Sequence, residues 1–148
     1  STVKPLLGIA VIGQCIALTA ALAGHPWQMD SHMVFFAALA VLMVLRDVRT
    51  IVAATAAIAL HHAGLSLFMP SLVYPEGGDW NNLSRTAFHA VVVLFEAGAL
   101  ILAVRRQQFL VARSNALAAE NHERLQTAEK ASAALRDAKA EQALQSSH

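Results

Sequence analysis

The chain has 148 residues, 56% of them hydrophobic and 14% charged, with a formal net charge of +1 and a mean hydropathy of +0.48. Soluble domains carry roughly 25% charged residues, so this composition argues against a water-soluble globule, and the near-neutral balance gives no footprint for nucleic acid. The single cysteine, Cys15, excludes an internal disulfide and a cysteine zinc cluster.

The charges are segregated. Between Leu6 and Leu45 only Asp30 is charged, whereas the sequence from Arg105 onward is rich in charge. Four apolar runs precede that tail, at about 5–23, 26–45, 51–69 and 84–104. Each is close to the ~20 residues that cross ~30 Å of hydrocarbon. The first resembles a signal sequence in length, but no small-residue cleavage site leads into a soluble domain, and three more runs follow. One chain this short has no means of burying four such helices from water. The expected organisation is a four-span transmembrane domain over 1–104 and a cytoplasmic helical linker over 105–148.

Basic residues orient the spans. Lys4 precedes the first, Arg46 and Arg49 occupy the "RDVRT" turn after the second, and Arg105 and Arg106 follow the fourth. The links "GHPWQMDSH" and "PSLVYPEGGDWNNLSR" hold one basic residue between them, Arg85. Both termini are therefore expected in the cytoplasm, with the two links outside. Trp27, Tyr74 and Trp80 fall on that outer side, where amphipathic rings favour the interface.

The tail from Arg105 contains no Gly or Pro and is dominated by good helix formers. It predicts that the fourth span runs on as one helix of about 60 residues and ~90 Å. Leu117, Asn121, Ala128, Ala131, Leu135 and Ala138 approximate a 3-4 spacing, an alanine-rich seam interrupted by Arg124. That pattern points to a weak parallel dimer. The expected fold is an all-α membrane protein: an antiparallel four-helix transmembrane bundle whose last helix extends into a cytoplasmic helix or coiled coil.

The second, third and fourth spans each carry histidine. With span two starting near Pro26, His32 lies ~9 Å below its outer end. His62 lies ~10 Å below Met69, and His89 ~8–10 Å below a cap at Asn82 or Ser84. Three helices thus deliver an imidazole to one depth. His61 shares that level but points ~100° from His62, and His25 sits at the mouth. Glu96 follows His89 by two helical turns on the same face, and an ionisable group at that depth is a functional candidate. Asp30 is placed to orient an imidazole from outside the ligand set.

Imidazole suits zinc, copper, nickel and haem iron. The candidate cofactor ligands are His32, His61, His62 and His89, with His25 added for a metal ion and Asp30 and Glu96 in support. Alanine-rich stretches leave room for a flat macrocycle, which places haem b ahead of copper or zinc. Met29, Met33 and Met69 offer soft ligands that would favour Cu(I). No phosphate loop, HExxH, GxSxG or GxGxxG is present, and no enzyme activity is expected.

The stretches "GHPWQMDSHMVFFAALAVL", "IALHHAGLSLFMPSLVYP" and "RTAFHAVVVLFEAGALI" resemble the four-span N-terminal sensor region of a group of bacterial methyl-accepting chemotaxis proteins, over roughly Gly24–Val104. The resemblance implies a homodimer in the bacterial inner membrane. It also implies a downstream cytoplasmic signalling domain and a chemotaxis kinase complex as partners, and makes the histidines and Glu96 the sensory residues. The chain departs from that pattern in holding no signalling hairpin and no methylation segment, and no large periplasmic domain separates its spans. The expected function is a sensor that reads redox state or a small ligand through a histidine-bound cofactor near the periplasmic face. The rival readings are a small b-type cytochrome-like electron carrier and a metal-free bundle whose histidines sense pH or only pack.

Overall fold

The computed structural model describes residues 2–69 and 79–145, with side chains at 2–69, 84–139 and 142. Every element is helical, and no strand occurs among the described residues. Helix α1 covers Val3–Ala21. A short α2, Gln28–Ser31, leads into α3, Met33–Leu42, which ends in a 3-10 turn at Met43–Leu45. Helix α4 covers Val48–Phe68 and α5 covers Asp79–Gln145. Among the described residues, four stretches, those of α1, α2–α3 with its 3-10 turn, α4 and α5, are long and apolar enough to cross a membrane.

The boundaries follow local chemistry. Arg46 takes a left-handed conformation (φ 52°) that ends the second stretch, and the Asp47 carboxylate accepts a hydrogen bond from the Arg49 amide at 3.0 Å. This cap starts α4 at Val48, three residues before the expected 51. The Lys4 ammonium donates to the Leu45 carbonyl at 2.9 Å, satisfying an orphan acceptor of the 3-10 turn and tying the start of α1 to the end of the second stretch. Helix α5 begins at Asp79, ahead of the expected 84. Of the aromatic residues expected at the interface, Trp27 is exposed. Tyr74 lies outside the described residues, as does the Trp80 side chain.

The chain divides into two compact units, 1–107 and 108–148. In the first, Ile12 and Cys15 of α1, Phe35, Leu39 and Leu42 of α3, Ile51, Ala54 and Ile58 of α4, and Val93 and Ala97 of α5 form one buried cluster. Large apolar side chains also cover the outside, among them Leu60, Phe88, Val91 and Phe95, the pattern of helices solvated by lipid rather than water. Thr19 and Thr55 return their hydroxyls to the carbonyls of Cys15 and Ile51, so neither leaves an unsatisfied donor.

Gly8 of α1 lies close against Thr50 of α4. A Cβ there would lie 2.9 Å from Thr50 Cγ2 and 3.2 Å from the Thr50 carbonyl oxygen. Thr50 is fully buried and β-branched, so it has little freedom to withdraw. Small residues at such crossings let backbones pack closely in membranes. Gly8→Ala is expected to destabilise the unit by about 1–2 kcal/mol through overpacking, measured by reversible unfolding in bicelles. Gly13→Ala, where a Cβ meets nothing within 4 Å, is the matched control.

In the second unit every described side chain is exposed. Its helix is supported by local pairs, Arg124 to Glu120 at 2.6 Å and Gln126 to His122 at 2.9 Å, each worth a few tenths of a kcal/mol (about 0.3–0.5). Leu117, Leu125 and Leu135 are more than half exposed.

Candidate functional site

The site starts from a break in the second apolar stretch. Three groups compete for the Gln28 carbonyl. The Ser31 hydroxyl donates to it at 2.7 Å and His32 Nδ1 lies 2.8 Å from it. The His32 amide, its ordinary α-helical donor, turns instead to the Met29 carbonyl at 3.2 Å. Side chains that bond back to the main chain divert the helical ladder in this way. The helix is interrupted at His32, between α2 and α3, and the imidazole at the break is buried. The Gln28 side chain, 1% exposed, is also held: its Oε1 accepts from the Gly24 amide at 2.7 Å, where φ is +77° and glycine is favoured.

From α4, His62 is buried and its Nδ1 lies 3.0 Å from the Ile58 carbonyl. From α5, the half-buried His89 has Nδ1 3.3 Å from the Arg85 carbonyl. A carbonyl only accepts, so in each ring Nδ1 is the protonated nitrogen. All three imidazoles thus repeat one arrangement, with Nδ1–H donated to the carbonyl four residues earlier and Nε2 left with its lone pair. A neighbour that fixes the far nitrogen and orients the ring is what a metal-ligating histidine needs. His32 Nε2 is fully buried and has no hydrogen-bond partner among the described residues, which leaves a buried acceptor unsatisfied there.

The ring centroids of His32 and His62 are 6.1 Å apart, and those of His62 and His89 are 6.0 Å apart at an interplanar angle of 24°. His62 is therefore the member of the adjacent pair that faces both partners. His61 stacks on Phe35 at 5.7 Å, with its own Nε2 buried and unpartnered among the described residues. Phe35 is the shared wall, 5.6 Å from His62 and 6.2 Å from His32.

His32, His62 and His89 enclose a gap of about 10 Å³ with Phe35, Phe36, Ile58 and Val93. That is room for one ion or one water and not for a larger body. Among the described residues no three histidine, cysteine, aspartate or glutamate side chains are already close enough to hold a metal. A metal–nitrogen bond of about 2 Å places each ring centroid about 3 Å from the ion and tetrahedral neighbours about 5 Å apart. The observed spacings exceed that by about 1 Å. Beside the gap, a cleft of about 200 Å³ opens between α4 and α5, also lined by His62 and His89.

Other expected residues lie elsewhere. His25 is exposed; its Nδ1 accepts from the Trp27 amide at 3.2 Å and its ring meets Trp27 edge-on at 5.9 Å. Asp30 is exposed, and main-chain carbonyls occupy the orienting role considered for it. Met29, Met33 and Met69 are exposed and do not line the gap. Glu96 is half-buried, with Oε2 enclosed and unpaired among the described residues. Gln28 and Phe35 were not anticipated. Gln28 left a signal, a long polar residue four positions before a histidine in an apolar helix; Phe35 left none among the many apolar residues around it. No family model, curated protein or solved structure matches this chain.

Proposed function

We propose that this chain is the transmembrane sensor module of a chemoreceptor-like protein, holding a single transition-metal ion between His32, His62 and His89. The observation that carries this reading is the repeated Nδ1–H to carbonyl arrangement, which leaves Nε2 as the free acceptor on three histidines that line one gap. The gap's size favours an ion over haem b, since a macrocycle requires the helices to part. Copper suits the chemistry best. No carboxylate lines the gap, and the cost of burying charge in hydrocarbon rises with its square, which favours monovalent copper over a divalent ion. A bound copper supplies a one-electron redox change coupled to a change in preferred coordination.

The chain's own residues turn that into a signal. To hold an ion, His32, His62 and His89 would have to come closer together than they stand here. His32 stands at a helix break and yields readily, whereas His89 transmits the displacement to α5. In this reading the spans form an antiparallel bundle in a bacterial inner membrane with both termini cytoplasmic. Two copies meet along the seam that carries the exposed Leu117 and Leu135 side chains of the second unit. A carrier that only passes electrons has no use for this water-exposed helix, so a transducer is favoured over a cytochrome-like protein.

The decisive experiment is metal analysis and absorption spectroscopy after expression with copper, zinc and haem each supplied. One copper per chain and no Soret band is the expected result. A protein free of metal and haem under all three conditions overturns the cofactor, and a Soret band that disappears in His62→Ala overturns the ion in favour of haem.

A further inference from the structure

We propose that the cleft between α4 and α5 is a binding site for a small phenolic ring, of which a hydroquinone head group dissolved in the bilayer is the fitting chemical class. The cleft measures about 200 Å³, somewhat more than the ~150 Å³ cavity that accepts benzene. Its width comes from Ala59 and Ala63 on α4 and Ala90 on α5, all of them exposed, so the cleft opens to whatever surrounds the helices. Ile58, Val93 and Leu94 supply the apolar walls. A flat, uncharged ring arriving from lipid fits that shape.

The polar groups decide which ring. The Thr55 hydroxyl is used on the Ile51 carbonyl at 2.8 Å, and the Thr86 hydroxyl is paired with Ser66 at 3.0 Å. The Nδ1 protons of His62 and His89 are committed to main-chain carbonyls. What these two nearly parallel rings retain is Nε2, an acceptor on each. A lipid acyl chain fills the volume and pairs with neither. A quinone, ether or aldehyde brings only acceptors and sets lone pair against lone pair. A phenol or hydroquinone donates its O–H to Nε2 while its ring occupies the alanine-walled space. The cleft therefore distinguishes the reduced, hydroxyl-bearing form of a quinone carrier from the oxidised one by hydrogen-bond polarity alone. This inference uses the metal-free imidazoles and stands independently of the ion. Because ion and hydroxyl draw on the same lone pairs, they compete.

The test is fluorine NMR of 4-fluorophenol added to metal-free protein in lipid nanodiscs, with empty nanodiscs subtracted. Saturable binding is expected, with 4-fluoroanisole, the same ring without the O–H, about 10-fold weaker, the value of one hydrogen bond. Ala63→Leu and Ala90→Leu fill the cleft from its open side and are expected to abolish binding. The double variant His62→Phe/His89→Phe keeps a ring at each position and removes both acceptors, so it is expected to bring 4-fluorophenol down to the anisole level. Equal binding of the two probes, or binding undiminished in both leucine variants, overturns the proposal. Neither outcome depends on whether copper binds, which metal analysis answers separately.

Discussion

At the proposed copper site, His62→Ala is expected to weaken copper binding by about 100-fold or more, whereas His61→Ala remains within about 10-fold of the parent protein. The two residues are adjacent, similar in depth and chemically identical, so composition alone predicts equal effects. The structure separates them. His62 stands 6.1 Å from His32 and 6.0 Å from His89, with its Nδ1 bound to the Ile58 carbonyl. His61 stacks on Phe35 and does not line the gap. Removing a partner outside the ligand set costs metal sites about 10–100-fold, and a direct ligand costs more. His61 touches the site only by packing against His62 at 5.2 Å and against Phe35, which explains a small residual effect. The measurement is competition with a chromophoric Cu(I) chelator in detergent. Losses of equal size in the two variants would remove His62 from its special position.

The four apolar stretches were legible because crossing hydrocarbon imposes length and composition directly on a sequence. The proximity of His62 to His32 and to His89 was foreshadowed for a related reason: a rise of about 1.5 Å per residue turns position into height along each helix. Rotation about the helix axis was not legible. It decided between His61 and His62, and it depends on packing against Phe35, a residue with no distinguishing sequence signal. The expectation of a regular helix from Pro26 also missed the interruption at His32, because that arises from three donors competing for the Gln28 carbonyl. The same competition reassigned the orienting role. Asp30 is the obvious acceptor by residue type, yet each imidazole is already served by the carbonyl one turn earlier, a partner that every helical histidine carries and that no residue pattern reveals. His25 was expected at the mouth, and local bonding to Trp27 occupies its Nδ1 there.

Phe35→Ala is the second substitution with a large expected effect, and its size depends on the solvent being lipid. Phe35 is 3% exposed and touches the rings of His32, His61 and His62. In water, truncating such a residue costs about 3–5 kcal/mol, the sum of a transfer and a cavity contribution. Helices that separate within a bilayer return their side chains to an apolar medium, so the transfer contribution largely disappears. The cavity contribution remains: a void of about 100 Å³ at ~24 cal/mol per Å³ gives about 2 kcal/mol. Lost contact with three flanking rings adds about 1 kcal/mol, for a total of about 3 kcal/mol. Phe35→Leu keeps most of the volume and is expected to cost about 1 kcal/mol. The two variants then differ at the site as well as in stability. With alanine, His61 and His62 lose their common wall and His62 gains freedom to swing from His89, so copper affinity falls alongside stability. With leucine the wall persists and affinity is largely retained. Steric-trap unfolding in bicelles measures the first quantity and chelator competition the second. A cost below about 1 kcal/mol for alanine would mean that the imidazoles, rather than Phe35, hold this end of the helices together.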